Sequence, residues 1–382
     1  MDDSVDDFPS GSSWITYMKT PLSRTLSFLP NLYCFGLNFN SCGANWGEVP
    51  ADTRAAFERV FKMESVKEVE LEFVFGFPVS LLMSLARLKY LALSNVDLDT
   101  DLRARDPGSG GKDDSDSKPP CEVALDGLYL RGVSPGVIRT LTKTLSYTDG
   151  PRTLRKLALT PTFEQGFTET VAELITACGS HLTSFAWLPS IHFGEYNPHL
   201  HQIIARTTIS DNYIFYLASS LGPINLAPLH HLRSLHVIIS FRNLPARKPF
   251  AQVLSLLLQI STRPKHNTLE KITLECHCFT FPYTATAAAD SKKYLAKIWR
   301  PLDTALCATK SDSEHGLEPI FGNLKEVEII LSASTTAQPV IHRLMVEKGE
   351  LLPSVEVRGV MLTVKVEKGG EERGLLDRLR QM

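Results

Sequence analysis

Residues 66–93 read VKEVELEFVFGFPVSLLMSLARLKYLAL. Both ends carry one apolar phrase, L-x-x-L-x-L: Val66, Val69 and Leu71 at the start, Leu88, Leu91 and Leu93 at the finish. The closing alternation of each phrase has the period of two that half-buries a short strand. Between them, FPVSLL opens at Pro78, which suits the first turn of a helix because no N–H is needed there. Strand, short helix and strand in fewer than thirty residues describe one α/β unit.

The phrase recurs along the whole chain, beginning at Leu32, Val66, Leu88, Leu125, Leu154, Leu182, Leu232, Leu269, Leu324 and Leu352. Segments with helical spacing lie between the copies: 52–62, 78–86, 135–145, 168–178, 248–260, 291–306 and 340–350. Strands too short to stand alone, each followed by a helix, predict an α/β fold. The expected form is an irregular leucine-rich-repeat-like solenoid of alternating short strands and helices. Successive phrases start 22 to 55 residues apart, against about 20–29 for a regular array, so the long gaps near 190–230 and 280–322 are expected to hold loops or extra helices. The solenoid is expected over 26–367, after a flexible or capping segment at 1–25 and before a charged tail at 368–382 with a short helix at 374–381. Residues 101–120, DLRARDPGSGGKDDSDSKPP, have almost nothing apolar to bury and are expected to form a disordered insertion.

The 382 residues carry 40 Lys+Arg against 42 Asp+Glu, a formal charge of -2. That balance offers no basic excess for phosphates and argues against nucleic acid as a partner. No apolar run nears the roughly 18–20 residues of a membrane-spanning helix, and the acidic start MDDSVDDF is unlike a signal peptide. Seven cysteines, odd in number and thinly spread, with no glycosylation sequon, suit a reducing compartment. The expected location is intracellular, cytoplasmic or nuclear.

Candidate chemistry is sparse. PGSGGKDDS at 107–115 resembles a phosphate loop but has Asp106 where the first glycine belongs and Asp113 after Lys112. Cys276, His277 and Cys278, with His266 nearby, suggest a metal site, but neighbouring strand residues face opposite ways and no C-x-x-C pair completes a tetrahedral set. Buried structural cysteines are the better reading. His199, His201, His230, His231 and His236 read as surface or loop histidines, because no partner for a triad follows from spacing. No catalytic residue, cofactor or metal is expected.

What remains is the surface of the array. With the leucines turned to the core, the intervening positions point outward along one strand face. They are Glu68, Glu70, Glu72, Tyr90, Tyr129, Arg131, Lys156, His236, Lys271, Glu275, Glu326 and Glu328. Tyr and Arg are enriched at interface hot spots, which makes Tyr90, Tyr129 and Arg131 the expected anchors of a protein-binding concave face.

The first quarter also resembles a family. LSFLPNLYCFGLNF at 26–39, then Trp46 and Pro50, the helix AAFERVF at 55–61, and the run 66–98 ending LKYLALSNVDL look like the F-box/leucine-rich-repeat-like proteins expanded in mushroom-forming fungi. The resemblance implies a non-enzymatic, substrate-recognising solenoid of a cullin-RING ubiquitin ligase, docked to a Skp-type adaptor through an N-terminal F-box. The stretch ahead of the first phrase is shorter than an F-box, and Leu29-Pro30 leads into a strand phrase. The chain is therefore expected to lack that module, as a shortened family member or a free-standing interaction protein. The alternatives are a self-associating scaffold with no ligase link, or a hydrolase in which His236 or His277 meets its nucleophile and carboxylate only in three dimensions.

Overall fold

Nine of the ten phrases end in a strand. In a computed structural model describing residues 24–26, 28–29, 31–39, 43–85, 87–99, 124–146, 153–162, 164–188, 224–240, 251–261, 267–278, 299–310, 318–333, 351–368 and 375–382, they form β1 (Cys34–Asn38), β2 (Glu68–Glu72), β3 (Tyr90–Ser94), β4 (Gly127–Arg131), β5 (Lys156–Thr160), β6 (Ser184–Trp187), β7 (Ser234–Ser240), β8 (Lys271–Cys278) and β9 (Glu326–Ala333). The tenth strand, β10, is Met361–Lys368. The phrase LPSVEV at 352–357 is instead largely the helix Pro353–Val357, with its proline in the first turn. The expected insertion at 101–120 and the expected helix at 340–350 lie outside the described residues.

The solenoid expectation is corrected by the sheet. The architecture is mixed α/β, dominated by one ten-stranded sheet in which the strands follow chain order and the described pairs are parallel. A solenoid stacks near-identical turns, whereas here the strands range from four to eight residues and the α-helices from five to twelve. Short accessory parallel pairs, Ala44–Asn45 with Val74–Phe75 and Phe77–Pro78 with Leu98–Asp99, accompany the early strands. Edge-to-edge pairing of unequal units is what the uneven phrase spacing encodes, and the α/β class stands.

The chain divides into two compact units. The first comprises residues 1–154, 164–177 and 375–380, and the second 155–163, 178–374 and 381–382. The first unit holds β1–β4, the helices α1 (Ala51–Phe61), α2 (Val79–Met83) and α3 (Pro135–Ser146), nearly all of α4 (Phe167–Cys178), and all but the last residue of a C-terminal helix, Leu375–Gln381. The second holds β5–β10 with α5 (Ala251–Ser261) and α6 (Pro353–Val357), so the C-terminal helix is α7.

In the first unit, strand order never reverses, and parallel crossovers are overwhelmingly right-handed. The connecting helices therefore fall on one face. That face carries the leucines: Leu91 and Leu128 line a small apolar cavity of about 20 Å³ together with Leu82 of α2 and Leu141 and Leu145 of α3. At the β1 end an aromatic cluster fills the space under α1. Trp46 meets Phe77 edge-on at 4.7 Å and Phe57 at 5.8 Å, while Phe35 lies 5.7 Å from Phe57 and 5.6 Å from Phe61. β2, β3 and β4 are each followed by a left-handed residue that turns the chain: Phe73 (φ 55°), Asn95 (φ 50°) and Gly132 (φ 59°). At Gly132 a Cβ would sit 2.3 Å from Asn95 Oδ1, so both backbone angle and space demand glycine.

In the second unit α5 buries Val253, Leu256, Leu257 and Ile260, the i, i+3, i+4, i+7 stripe of a helix lying on a core. Across 299–306 a further helix contributes buried Trp299, Leu302 and Leu306. Its Asp303 caps α6, accepting from the backbone N–H of Val355 at 3.1 Å and of Ser354 at 3.3 Å. Arg358 closes the other end of α6 on the carbonyls of Leu306 (2.6 Å) and Phe321 (3.4 Å).

Candidate protein-binding face

Parallel pairing in register turns the outward residues of each strand into rows. In the first unit these run Cys34, Glu68, Tyr90, Gly127; then Gly36, Glu70, Ala92, Tyr129; then Asn38, Glu72, Ser94, Arg131. The six expected residues of this unit, Glu68, Glu70, Glu72, Tyr90, Tyr129 and Arg131, thus share one face. They are not all open to solvent, because α7 is packed on Glu68, Glu70 and the Tyr90–Gly127 pair.

The docking of α7 is specific on both its apolar and its polar side. Leu375, Leu376 and Leu379 are buried, Leu379 completely. A Cβ on Gly127 would lie 2.6 Å from Tyr90 Cδ1 and 3.5 Å from Leu379 Cδ2, so the missing side chain makes room for ring and leucine together. Glu70 accepts backbone hydrogen bonds from Leu375 and Leu376 at the start of the helix. Burial, and then the neighbouring Glu72, raise the Glu70 pKa, and those two N–H groups oppose the rise. Arg380 holds Glu68 with two nitrogens, Nε donating to Oε1 at 3.3 Å and Nη2 to Oε2, while Nη1 donates to Asp377 Oδ1 at 2.6 Å. Glu68 is only 3% exposed, and a carboxylate so placed requires a partner. Tyr90 donates to Asp126 Oδ2 at 2.9 Å; burial, and then that carboxylate, push the phenol up to about 12.

The strength of this docking follows from its parts. Burying three leucines contributes about 5–9 kcal/mol, while ordering the seven residues of α7 costs about 7–14 kcal/mol. The cap on Glu70 and the ion pair, discounted because the Arg380 side chain is 44% exposed, add about 2 kcal/mol. The helix is held within a few kcal/mol of balance.

The remaining expected residues belong to the second unit and fall in different rows. Lys156, Lys271 and Glu326 share one row, but β6 and β7 separate Lys156 from Lys271. His236 and Glu328 lie in the next row, and Glu275 lies in the one after. Five of these six form two clusters. His236 Nε2 lies 3.2 Å from Glu275 Oε2, an ion pair when the ring is protonated, yet it makes no directed hydrogen bond. Lys271 Nζ reaches Glu326 Oε1 at 3.2 Å and Glu328 Oε2 at 2.7 Å, and Lys365 pairs with the other Glu328 oxygen. Burial alone would raise the Glu328 pKa, but hydrogen bonds from Lys271 and Lys365 outweigh it and hold the group below its usual value. Lys365, Asp126 and Arg380 were not expected. Lys365 belongs to the alternating run MLTVKV, whose period of two marks a strand without the leading phrase the other strands carry. The Leu375, Leu376, Leu379 spacing marks a helix but not what it covers.

Among the described residues no group of three or more His, Cys, Asp or Glu could hold a metal ion. Nor is any helix among them long and apolar enough to cross a membrane. No protein-family model and no curated protein matches the chain.

Proposed function

We propose that this chain is a non-enzymatic protein-recognition module, and that its contact surface is the polar strand face that includes Glu68, Glu70, Glu72, Tyr90, Tyr129 and Arg131. One observation carries the reading: in the first unit this face receives a polypeptide, since α7 lies on it with Leu379 beside Tyr90 and Gly127 and with Arg380 on Glu68. A face that seats one helix by pocket, cap and ion pair has the features of an interface core with polar anchors. The sequence likeness of residues 26–98 to fungal F-box proteins favours a substrate-recognition role beside a cullin-RING ubiquitin ligase. The second form of the proposal is a free-standing interaction protein.

The test is affinity purification of the full chain from its own cells, with quantitative mass spectrometry of three forms: wild type, Glu72→Lys with Arg131→Glu on the strand face, and Lys143→Glu on α3. The proposal expects partners lost from the strand-face variant and retained by the α3 variant. Partners equally retained by all three forms would overturn it. Stoichiometric recovery of a Skp-type adaptor and a cullin selects the ligase form, and their absence selects the free-standing form.

A further inference from the structure

We infer that α7 is a displaceable intramolecular ligand of the β2–β4 face, and that the partner this face fits is an amphipathic helix of the pattern L-L-x-x-L-R. The inference rests on the recognition role proposed above and names the chemistry recognised there and its regulation. Three features of the site lead to it.

A seven-residue helix is too short to persist in water on its own, so the helicity of α7 depends on what it touches. What it touches is matched to a helix in three separate ways. Glu70 takes the unpaired N–H groups of Leu375 and Leu376, as an N-terminal cap does. Gly127 leaves the space that Leu379 and the Tyr90 ring share. Glu68, buried in the sheet, is neutralised by Arg380, a residue 312 positions away in sequence. The recognition groups therefore reside in the strands, while α7 supplies leucines and a cation that any helix of the same pattern also carries. A helix so small, held so close to balance, is one that a second helix can replace. Tethering raises its local concentration to roughly millimolar, so in the intact chain it screens the face against weak competitors.

The experiment uses the full chain and, as probe, a fluorescent synthetic peptide of residues 371–382, EERGLLDRLRQM, followed by anisotropy. The intact chain is compared with the full-length double variant Leu376→Asp, Leu379→Asp, whose own α7 cannot dock. The peptide is expected to bind the double variant at least tenfold more tightly than the intact chain. Adding Glu68→Arg to the double variant is expected to abolish binding, and a peptide carrying Arg380→Glu to restore it. Equal binding to intact and double-variant chains, no binding to the double variant, or indifference to Glu68→Arg would each overturn the inference. So would an intact chain that runs as a dimer in light scattering and turns monomeric in the double variant, since the occupant would then be a second copy's α7. If the double variant fails to fold, Arg380→Glu at the partly exposed end of α7 carries the same comparison in the full chain. A failed peptide arm beside partners still lost with Glu72→Lys and Arg131→Glu removes the latch and leaves the recognition role. Partners insensitive to those substitutions remove the role itself.

Discussion

Replacing Arg380 by alanine isolates the polar half of the α7 contact. Glu68 is 3% exposed, and Arg380 meets it with Nε and Nη2. Removing one partner of a fully buried ion pair costs about 3–5 kcal/mol, but the Arg380 side chain is 44% exposed, and screening by water cuts this to about 1–2 kcal/mol. The loss falls on α7 before it falls on the sheet, since undocking the helix lets water reach Glu68 and relieves the unpaired charge. A penalty of that size raises the undocked population about 5- to 30-fold. Hydrogen–deuterium exchange with mass spectrometry should therefore show amides of 375–382 exchanging faster by about that factor, with residues 66–99 unchanged. Arg380→Lys keeps the charge but not the two-pronged geometry and should fall between the two. Unchanged protection of α7 would mean that Glu68 does not depend on Arg380. A matching loss of protection across β2 and β3 would equally contradict the prediction, since helix and sheet would open as one unit.

Gly127→Ala places a methyl group 2.6 Å from the Tyr90 ring; overpacking of this kind costs about 1–3 kcal/mol and should appear as a lower Tm together with faster exchange in α7. Tyr90 titrates high, to about 12. Its raised folded-state pKa means that its share of stability is fully present below pH about 10 and lost as the pH rises through about 12. A wild-type minus Tyr90→Phe titration of absorbance at 295 nm should show one late tyrosinate. Glu328 is shifted the other way, held below its usual value. Its share is present above the unfolded carboxylate range of about 4.3 and lost as the pH falls through the lower folded value, so the urea midpoint difference between wild type and Glu328→Gln should shrink on acidification. Trp46→Ala empties the aromatic cluster against Phe57 and Phe77 and should cost about 3–5 kcal/mol in urea unfolding.

The elements were legible because their signals are local. The alternation in LKYLAL, LDGLYL and LRKLAL reports a strand without reference to anything distant, and those phrases are where β3, β4 and β5 lie. The miss at the last strand has an equally local cause. LPSVEV has the phrase's apolar spacing, but Pro353 starts a helix there, and the period-two run from Met361 makes the strand. The solenoid expectation failed for a different reason: counting phrases treats them as copies of one unit, whereas pairing into a single sheet requires only that each strand find a neighbour's edge.

The site was half legible. Alternation sets Glu68, Glu70, Tyr90 and Tyr129 apart from the leucines, but it implies solvent there, whereas Glu68 and Tyr129 are buried. Nothing near Glu68 in sequence announces Arg380, because an ion pair spanning 312 residues has no periodic trace. Which residues form strands, which side of each strand is apolar and the α/β class are all encoded locally, since these depend on the geometry of a few consecutive residues. That the strands join into one parallel sheet, and that the C-terminal helix lies on the polar face of β2–β4, emerges only in the folded chain. Both depend on which distant segments meet, and hydrogen-bonded edges, a glycine-sized gap and a buried charge select their partners only once the chain has folded.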